Sequence, residues 1–410
     1  MRILFTVTGY KPAYRMGGPV ISVAEVAERL VSRGHEVIVF TSNSDIAKNL
    51  DVPVNQPVDV EGVEVWYFSQ KNFFKRWLPF IPYLSKSVGF MYNPLISRQL
   101  DRLMPELDVV NTHNPYGYPS CAAAWAALRW HKPLFVHQRG VFDPARLDFR
   151  SFKKRLFIDL VARPIMRKAT TLIALTQGEL ESFRALGVET PCHIVPNGIE
   201  VSNYRQQPGP TSMDLWKIPP QAQVILFLGR LHPVKGVERL LEAFLQIHHS
   251  LPKAFLVMAG PDDWGYTEAF TRKVRQAGVG ERVIFPGMIS GDAKLDLLAR
   301  ADLFCLPSDA EGFSMAVLEA LASATPVLLS PGCYFPEAEK AGAGRVVPPT
   351  PAALAEALED LLSHPERLQV MGQRGFDLVR DNYSWGHITD QLLEVYLEGL
   401  ARHQVARKNR

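Results

Sequence analysis

Along the first forty residues, apolar and polar positions alternate in the order strand, helix, strand. Ile3, Leu4, Phe5, Thr6 and Val7 form a nearly unbroken apolar run, the pattern of a strand covered on both faces. Gly17-Gly18-Pro19 follows and opens a predicted helix over 20–32; Arg33-Gly34-His35 closes it. Residues 36–40 then read as the next strand, completing a βαβ unit. Further strand-like runs lie at 63–68, 109–112, 134–137 and 172–175, with helical stretches between most of them. Such alternation predicts a parallel sheet with helices on both faces.

The pattern then restarts. Residues 224–228 form a second opening strand, again followed by a glycine and a helix over 236–248, and 254–259, 282–285, 303–306 and 326–329 continue the series. Two doubly wound domains of similar size are the expectation. They divide as 1–196, 197–380 and a helical tail 381–410, with the boundary near Pro196-Asn197-Gly198 or in the Pro/Gly-rich stretch 206–220. Tyr383-Ser384-Trp385 interrupts the helical tail, a last helix is predicted over 387–401, and the basic end from His403 onward is expected to fray.

Residues 71–94 fit neither period. Bulky aromatics, three cations and two prolines crowd Lys71 to Tyr83, with Arg76 and Trp77 at the centre and Lys86 beyond. A segment of this kind suits a membrane interface, with cations on lipid phosphates. It equally suits a partly buried connection, and either could line an acceptor cleft.

Composition narrows the class. At 410 residues, 47% hydrophobic and 21% charged, the chain can bury sizeable cores in about two to three domains. A net charge of +3 gives no bulk attraction for nucleic acid. Four scattered cysteines without a CxxC fit reduced thiols in a cytoplasmic protein, and argue against a disulfide scaffold or a zinc site. The first apolar run is too short for a signal-peptide core, and no run of about 18 apolar residues suggests a membrane span.

Chemistry concentrates in three places. Gly229-Arg230-Leu231-His232-Pro233-Val234-Lys235-Gly236 follows a predicted strand and opens a helix. Gly229 permits a tight turn, and Arg230 and Lys235 project near a strand's carboxyl end, a placement that suits a diphosphate. The plain alternative is two surface cations in a turn. Gly17 and Gly18 hold the matching place in the first domain, either as a close backbone approach to a ligand or as an ordinary loop pair. Glu311-Gly312-Phe313-Ser314 precedes a helix in which Glu319 is the one charge among Met315, Ala316, Val317, Leu318, Ala320 and Leu321. A carboxylate there needs a polar partner. A ribose diol would serve; so would a narrow solvated face.

With these residues in view, the chain resembles the retaining glycosyltransferases of family four. The likeness rests on Glu311-x7-Glu319 within Pro307-Ser308-x-x-Glu-Gly-Phe, on Gly-Arg-Leu-x-x-x-Lys-Gly, and on Val195-Pro196-Asn197-Gly198-Ile199. The resemblance implies a GT-B fold: two Rossmann-like domains facing a central cleft, with a C-terminal helix crossing back to the first. It implies that Arg230 and Lys235 hold a donor diphosphate, that Glu319 binds the ribose, and that Glu311 with the backbone of Gly312, Phe313 and Ser314 holds the donor sugar and distal phosphate. Gly17 and Gly18 would approach the phosphates. The usual family histidine is replaced: Arg139, in Val136-His137-Gln138-Arg139-Gly140, is expected near the donor sugar, with His113 a second candidate.

The expected reaction moves a sugar from a nucleotide diphosphate sugar, UDP- or GDP-linked, to an acceptor hydroxyl with retention. The acceptor would be a saccharide or lipid-linked saccharide in polysaccharide or glycolipid assembly. No other cofactor is expected, and no metal, since neither a DxD at a strand end nor His/Cys ligand spacing is present. The expected location is cytoplasmic, extending to the inner membrane face if 71–94 touches lipid. A nucleotide-sugar epimerase or an inverting transferase on the same scaffold is the rival enzyme reading, and a non-catalytic sugar-nucleotide-binding protein the rival outside catalysis.

Overall fold

The computed structural model describes residues 1–45, 48–69, 92–142, 155–204, 207 and 216–408. The segment 71–94, apart from its last three residues, lies outside them, as do Arg76, Trp77 and Lys86. The chain divides into two compact units: Met1–Asn197 together with Trp385–Arg410, and Gly198–Ser384.

The first unit carries the strands β1 (Arg2–Thr6), β2 (Glu36–Ser42), β3 (Ser44–Asp45), β4 (Lys48–Asn49), β5 (Pro57–Val60), β6 (Val63–Phe68), β7 (Val109–His113), β8 (Leu134–His137), β9 (Thr171–Ala174) and β10 (Cys192–Ile194). Eight of them form one sheet in the order β10-β9-β8-β7-β1-β2-β6-β5, and β3 pairs only with β4. The main sheet is parallel except for β5, which runs antiparallel to β6 through the turn at Glu61-Gly62. The continuous apolar runs of β1 and β8 follow from cover on both faces: Ile3, Leu4, Phe5, Leu134, Phe135 and Val136 are all buried.

Helices α1 (Gly18–Ser32), α2 (Pro94–Leu103), α3 (Tyr118–Arg129), α4 (Arg163–Lys168) and α5 (Gln177–Ala185) connect these strands. The second unit holds α6 (Val237–Ile247), α7 (Tyr266–Gln276), α8 (Gly291–Arg300), α9 (Met315–Ala322), α10 (Glu337–Lys340), α11 (Pro351–Leu362) and α12 (Pro365–Asn382). Its sheet runs β13-β12-β11-β14-β15-β16, formed by β11 (Gln223–Leu228), β12 (Ala254–Ala259), β13 (Val283–Gly287), β14 (Leu303–Leu306), β15 (Val327–Leu329) and β16 (Gly344–Val346). Every pairing in it is parallel.

The last helix, α13 (Trp385–Lys408), belongs to the first unit. Its Trp385, Ile388, Leu392, Val395 and Tyr396 join Val23, Ala27 and Leu30 of α1 in one core. The helix continues past His403, where fraying was expected to begin, as far as Lys408, with Arg402 donating to Thr171 Oγ1 at 2.8 Å and a His403 ring nitrogen 3.0 Å from the His131 carbonyl. Among the described residues no helix is long and apolar enough to cross a membrane.

Candidate functional site

In the second sheet β11 and β14 are neighbours, although β12 and β13 come between them in sequence. Connections from such a pair depart in opposite directions and leave a crevice at the carboxyl ends of the strands, the usual ligand position in open α/β sheets. The loops 229–236 and 307–314 meet there. Gly229 N–H donates to Ala259 O at 2.9 Å and Leu231 N–H to Pro261 O at 2.9 Å, which leaves Arg230 between them exposed. Arg230 makes no ion pair or hydrogen bond among the described residues. The His232 ring closes the next turn, its Nδ1 accepting from Val234 N–H at 3.2 Å. Burial, followed by the charges of Arg230 and Lys235, lowers the His232 pKa and keeps the ring neutral.

Gly236 joins the two loops. Its φ of 71° is left-handed, and a Cβ there would lie 2.2 Å from Pro307 O. A side chain would therefore push the loops apart. Two bonds to one carbonyl sew them together: Ser308 Oγ donates to Val234 O at 3.0 Å, and Asp309 N–H donates to it at 2.7 Å. This closeness sets Lys235 Nζ 2.6 Å from Glu311 Oε1 and 2.7 Å from Oε2. The Glu311 side chain is 6% exposed and that of Lys235 is 22% exposed, so the carboxylate is the buried partner and the ammonium the accessible one. Sequence reading gave these two residues separate roles and did not anticipate their pairing.

Beyond Glu311 the backbone opens. The N–H groups of Gly312, Phe313 and Ser314 donate to no backbone carbonyl among the described residues, and Ser314 leads into α9. The first turn of a helix presents unpaired donors and the positive end of its dipole. A cation, a buried carboxylate and an open helix start thus share one loop pair, an arrangement that receives an anion bearing hydroxyl groups.

Glu319, on α9, was expected to need an external partner. The chain supplies two: Lys294 Nζ lies 2.9 Å from its Oε1, and Tyr204 donates its hydroxyl to the same oxygen at 3.2 Å. Burial and the nearby carboxylate push the Tyr204 hydroxyl pKa upward. Oε2 meets no donor among the described residues. Sequence reading missed Tyr204 and Lys294, since one lies 115 residues and the other 25 residues before Glu319 with no local signal for either.

In the first sheet the order reverses between β1 and β7. Gly17, at φ 90°, precedes α1, and Gly18 is the helix's first residue. No atom lies within 4 Å of a Cβ added to either, so Gly17 is required by its backbone angle while Gly18 has no steric requirement.

His113, the second candidate beside the donor sugar, is 2% exposed at the end of β7, its ring 4.4 Å from that of His137. Burial drives the pKa of both histidines well below the ordinary imidazole value, so both are neutral. Arg139 follows at φ 56°, its Nε donating to His113 Nδ1 at 3.3 Å, and one terminal nitrogen donating to Ser22 Oγ at 3.2 Å and Asn197 Oδ1 at 2.7 Å. Burial lowers its pKa to about 10, which leaves it charged at neutral pH. The residue keeps some exposed surface, and Nε and one terminal nitrogen of its guanidinium are engaged by groups of its own unit. His113 and Arg139 therefore come together in one hydrogen-bonded network with Ser22 and Asn197.

Residues 211–377 match the family described as glycosyl transferases group 1, and residues 17–198 match the glycosyl transferase 4-like domain. The chain belongs to the group 1 glycosyltransferases. It is 26% identical to a D-inositol 3-phosphate glycosyltransferase of Kineococcus radiotolerans, covering 93% of this chain and 90% of that protein. It is 27% identical to a phosphatidyl-myo-inositol mannosyltransferase of Mycobacterium leprae, covering 93% and 92%. The crystal structure of Anabaena HepE in complex with UDP superposes with a TM-score of 0.74 at 18% identity, covering 97% of this chain and all of that one. This group 1 glycosyltransferase has the GT-B fold.

Proposed function

We propose that this glycosyltransferase moves a hexosyl group from a UDP- or GDP-linked sugar to a hydroxyl of a saccharide or lipid-linked saccharide, with retention of anomeric configuration. The observation that carries the reading is the Lys235–Glu311 pair set against the open start of α9. A donor diphosphate takes the accessible ammonium of Lys235 and the guanidinium of Arg230 as counter-ions. The N–H groups of Gly312, Phe313 and Ser314 and the helix end take its distal phosphate. Glu311 accepts from sugar hydroxyls, and Glu319, through the oxygen not engaged by Lys294 and Tyr204, accepts from the ribose.

In the proposed reaction the bond from C1 to the phosphate oxygen breaks, and its electron pair stays on that oxygen. The acceptor oxygen bonds to C1 on the same face, and its proton passes to the departing phosphate. Lys235, Arg230 and the helix start stabilise the charge that develops on the leaving group, which is where preorganised charge lowers a barrier most. We assign them the charge-neutralising role that a divalent ion would otherwise fill.

The mannosyltransferase likeness supports transfer of a hexosyl group, and the UDP complex of HepE supports a nucleotide-linked donor. On this reading the reaction is assigned to the cytoplasm, and a lipid-linked acceptor would bring it to the inner membrane face. A thermal-shift screen over nucleoside diphosphates and their sugars tests the donor, because a ligand that binds only the native state raises its stability. NMR of the product's anomeric proton tests retention, and an inverted product would favour the inverting-transferase alternative.

A further inference from the structure

The helix that ends as α4 starts earlier, at Arg155. Residues 155–157 are α-helical, Ile158–Ala162 make one π turn, and Arg163–Lys168 complete it. Its inner face is ordinary: Ile158, Ala162, Ile165 and Met166 are buried in one core with Ala123, Ala124 and Ala127 of α3. Its outer face is not. Leu160 is 65% exposed, and Leu156, one turn before it, is 49% exposed. A surface helix normally turns polar side chains outward. This one turns out two leucines, and Arg163 and Arg167 continue their stripe at helical spacing.

The charge of this face is one-sided. Arg155, Arg163, Arg167 and Lys168 oppose a single acid, Asp159, so residues 155–168 alone carry +3, as much as the whole chain. The sequence just before them adds Arg150, Lys153 and Lys154. Asp159 Oδ1 lies 2.9 Å from a terminal nitrogen of Arg163 and offsets that one charge. Arg167 donates to the Gly187 carbonyl at 3.0 and 3.2 Å, which fixes the guanidinium without neutralising it. Arg155 and Lys168 meet no acid among the described residues. Beside α4, α3 turns Trp125 outward, 45% exposed.

Exposed leucines among unneutralised cations match the surface of a bilayer that contains anionic lipid. A soluble polyanion would satisfy the cations and leave the leucines in water; an apolar protein patch would do the reverse. At a bilayer the leucines enter the acyl boundary, the cations reach lipid phosphates, and an indole suits the headgroup level.

We propose that the outer face of the 155–168 helix docks this chain on an anionic membrane surface, with Leu156 and Leu160 inserted and Arg155, Arg163, Arg167 and Lys168 on lipid phosphates. The surface lies wholly in the first unit. It rests on the lipid-linked-acceptor reading only for its purpose. Bare vesicles hold no acceptor, so docking and acceptor class fail separately.

The test is co-sedimentation of the full chain with vesicles of phosphatidylcholine, alone and with phosphatidylglycerol added. Binding is expected to the anionic vesicles, weakening as salt is raised, because the field of the cations is screened. Arg155→Gln combined with Lys168→Gln should weaken partitioning about thirty-fold, at roughly five-fold per charge. Leu160→Asp should weaken it about ten-fold, since an inserted apolar side chain becomes a charge. Leu397→Asp, on α13 in the layer against the opposite face of the sheet and 59% exposed, should change nothing.

A wild-type chain that stays in the supernatant with anionic vesicles would overturn the proposal, as would equal binding to phosphatidylcholine alone. Binding that the cation and leucine variants both leave intact would overturn it too, because the contact would then lie elsewhere. Binding lost with the cations but kept in Leu160→Asp would make the face a site for a soluble polyanion and not for a bilayer. Should Leu160→Asp not fold by circular dichroism, Leu160→Ser is read in its place.

Discussion

The loop after β11 and the loop after β1 leave the opening strand of their sheets at corresponding points, beside the strand where the order reverses, yet the cations around them are held differently. In the second unit Lys235 faces a buried carboxylate and remains partly exposed, next to a helix start with open donors. In the first unit Arg139 is held by neutral acceptors only, namely His113, Ser22 and Asn197. A cation paired with a carboxylate at an open helix end can share its charge with an incoming phosphate. A cation whose Nε and one terminal nitrogen already donate to an imidazole, a hydroxyl and an amide is anchored on one side, and its other terminal nitrogen meets no partner among the described residues. The first arrangement is suited to chemistry and the second to holding the end of β8, the start of α1 and Asn197 in register.

The strongest break of this contrast is Lys235→Ala. If Lys235 stabilises the leaving diphosphate, kcat should fall by about 10²–10³. Stability should fall as well, because the carboxylate of Glu311, 6% exposed, would be left without a counter-charge. The double variant Lys235→Met with Glu311→Gln should recover stability without recovering turnover. Near-normal kcat in Lys235→Ala would remove the chemical half of the comparison.

The next effect lies in the first unit and is read by pH. His113 and His137 are neutral in the folded chain because burial holds their pKa values far below that of a free imidazole. Below about pH 6.5 the unfolded chain binds protons that the folded chain does not. The stability these groups contribute is therefore present above that pH and is lost as pH falls. Each histidine should add about 1.4 kcal/mol of lost stability per pH unit once the unfolded histidine is protonated. Replacing His137 with Asn should flatten urea-melt stability between pH 6 and 4.5 by about one histidine's slope. An unchanged slope would mean that His137 titrates in the native state.

Much of the second unit's site could be read from sequence because its parts are local. Glu311, Gly312, Phe313, Ser314 and Glu319 lie within nine positions, and Arg230 and Lys235 share one turn. The strand and helix order was legible for the same reason, since period and turn residues are local signals. The pairings were not. Lys235 meets Glu311 across 76 residues, and Glu319 meets Tyr204 across 115, because a parallel sheet brings together the ends of strands distant in sequence. The first unit hid more. Arg139 was expected near the donor sugar, but its left-handed backbone and its bonds to the distant Ser22 and Asn197 had no local signal.

Glu319→Ala gives the third effect. It should raise donor KM about ten-fold with kcat little changed, as expected for loss of a charged hydrogen bond to the ribose. Lys294→Ala should do less, because Tyr204 still donates to the same oxygen at 3.2 Å. A fall in kcat as large as that of Lys235→Ala would move Glu319 from holding to chemistry.

The smallest effect sharpens the contrast most. Ser22→Ala removes one of the three acceptors around Arg139, the one at 3.2 Å, and leaves Asn197 at 2.7 Å and His113 at 3.3 Å. A hydrogen bond to a charged donor contributes about 1.5–3 kcal/mol, but here the guanidinium keeps its shorter bond, so a loss of about 1 kcal/mol is expected. Asn197→Ala should cost more, because it removes that shorter bond. Neither change should alter donor KM if Arg139 only holds structure, and both should shift the urea midpoint. If Ser22→Ala instead raised donor KM several-fold while the midpoint stayed put, the guanidinium would have to be meeting the donor. The first unit would then hold a working cation as the second does, and the difference between the two loops would be one of partner chemistry and not of role.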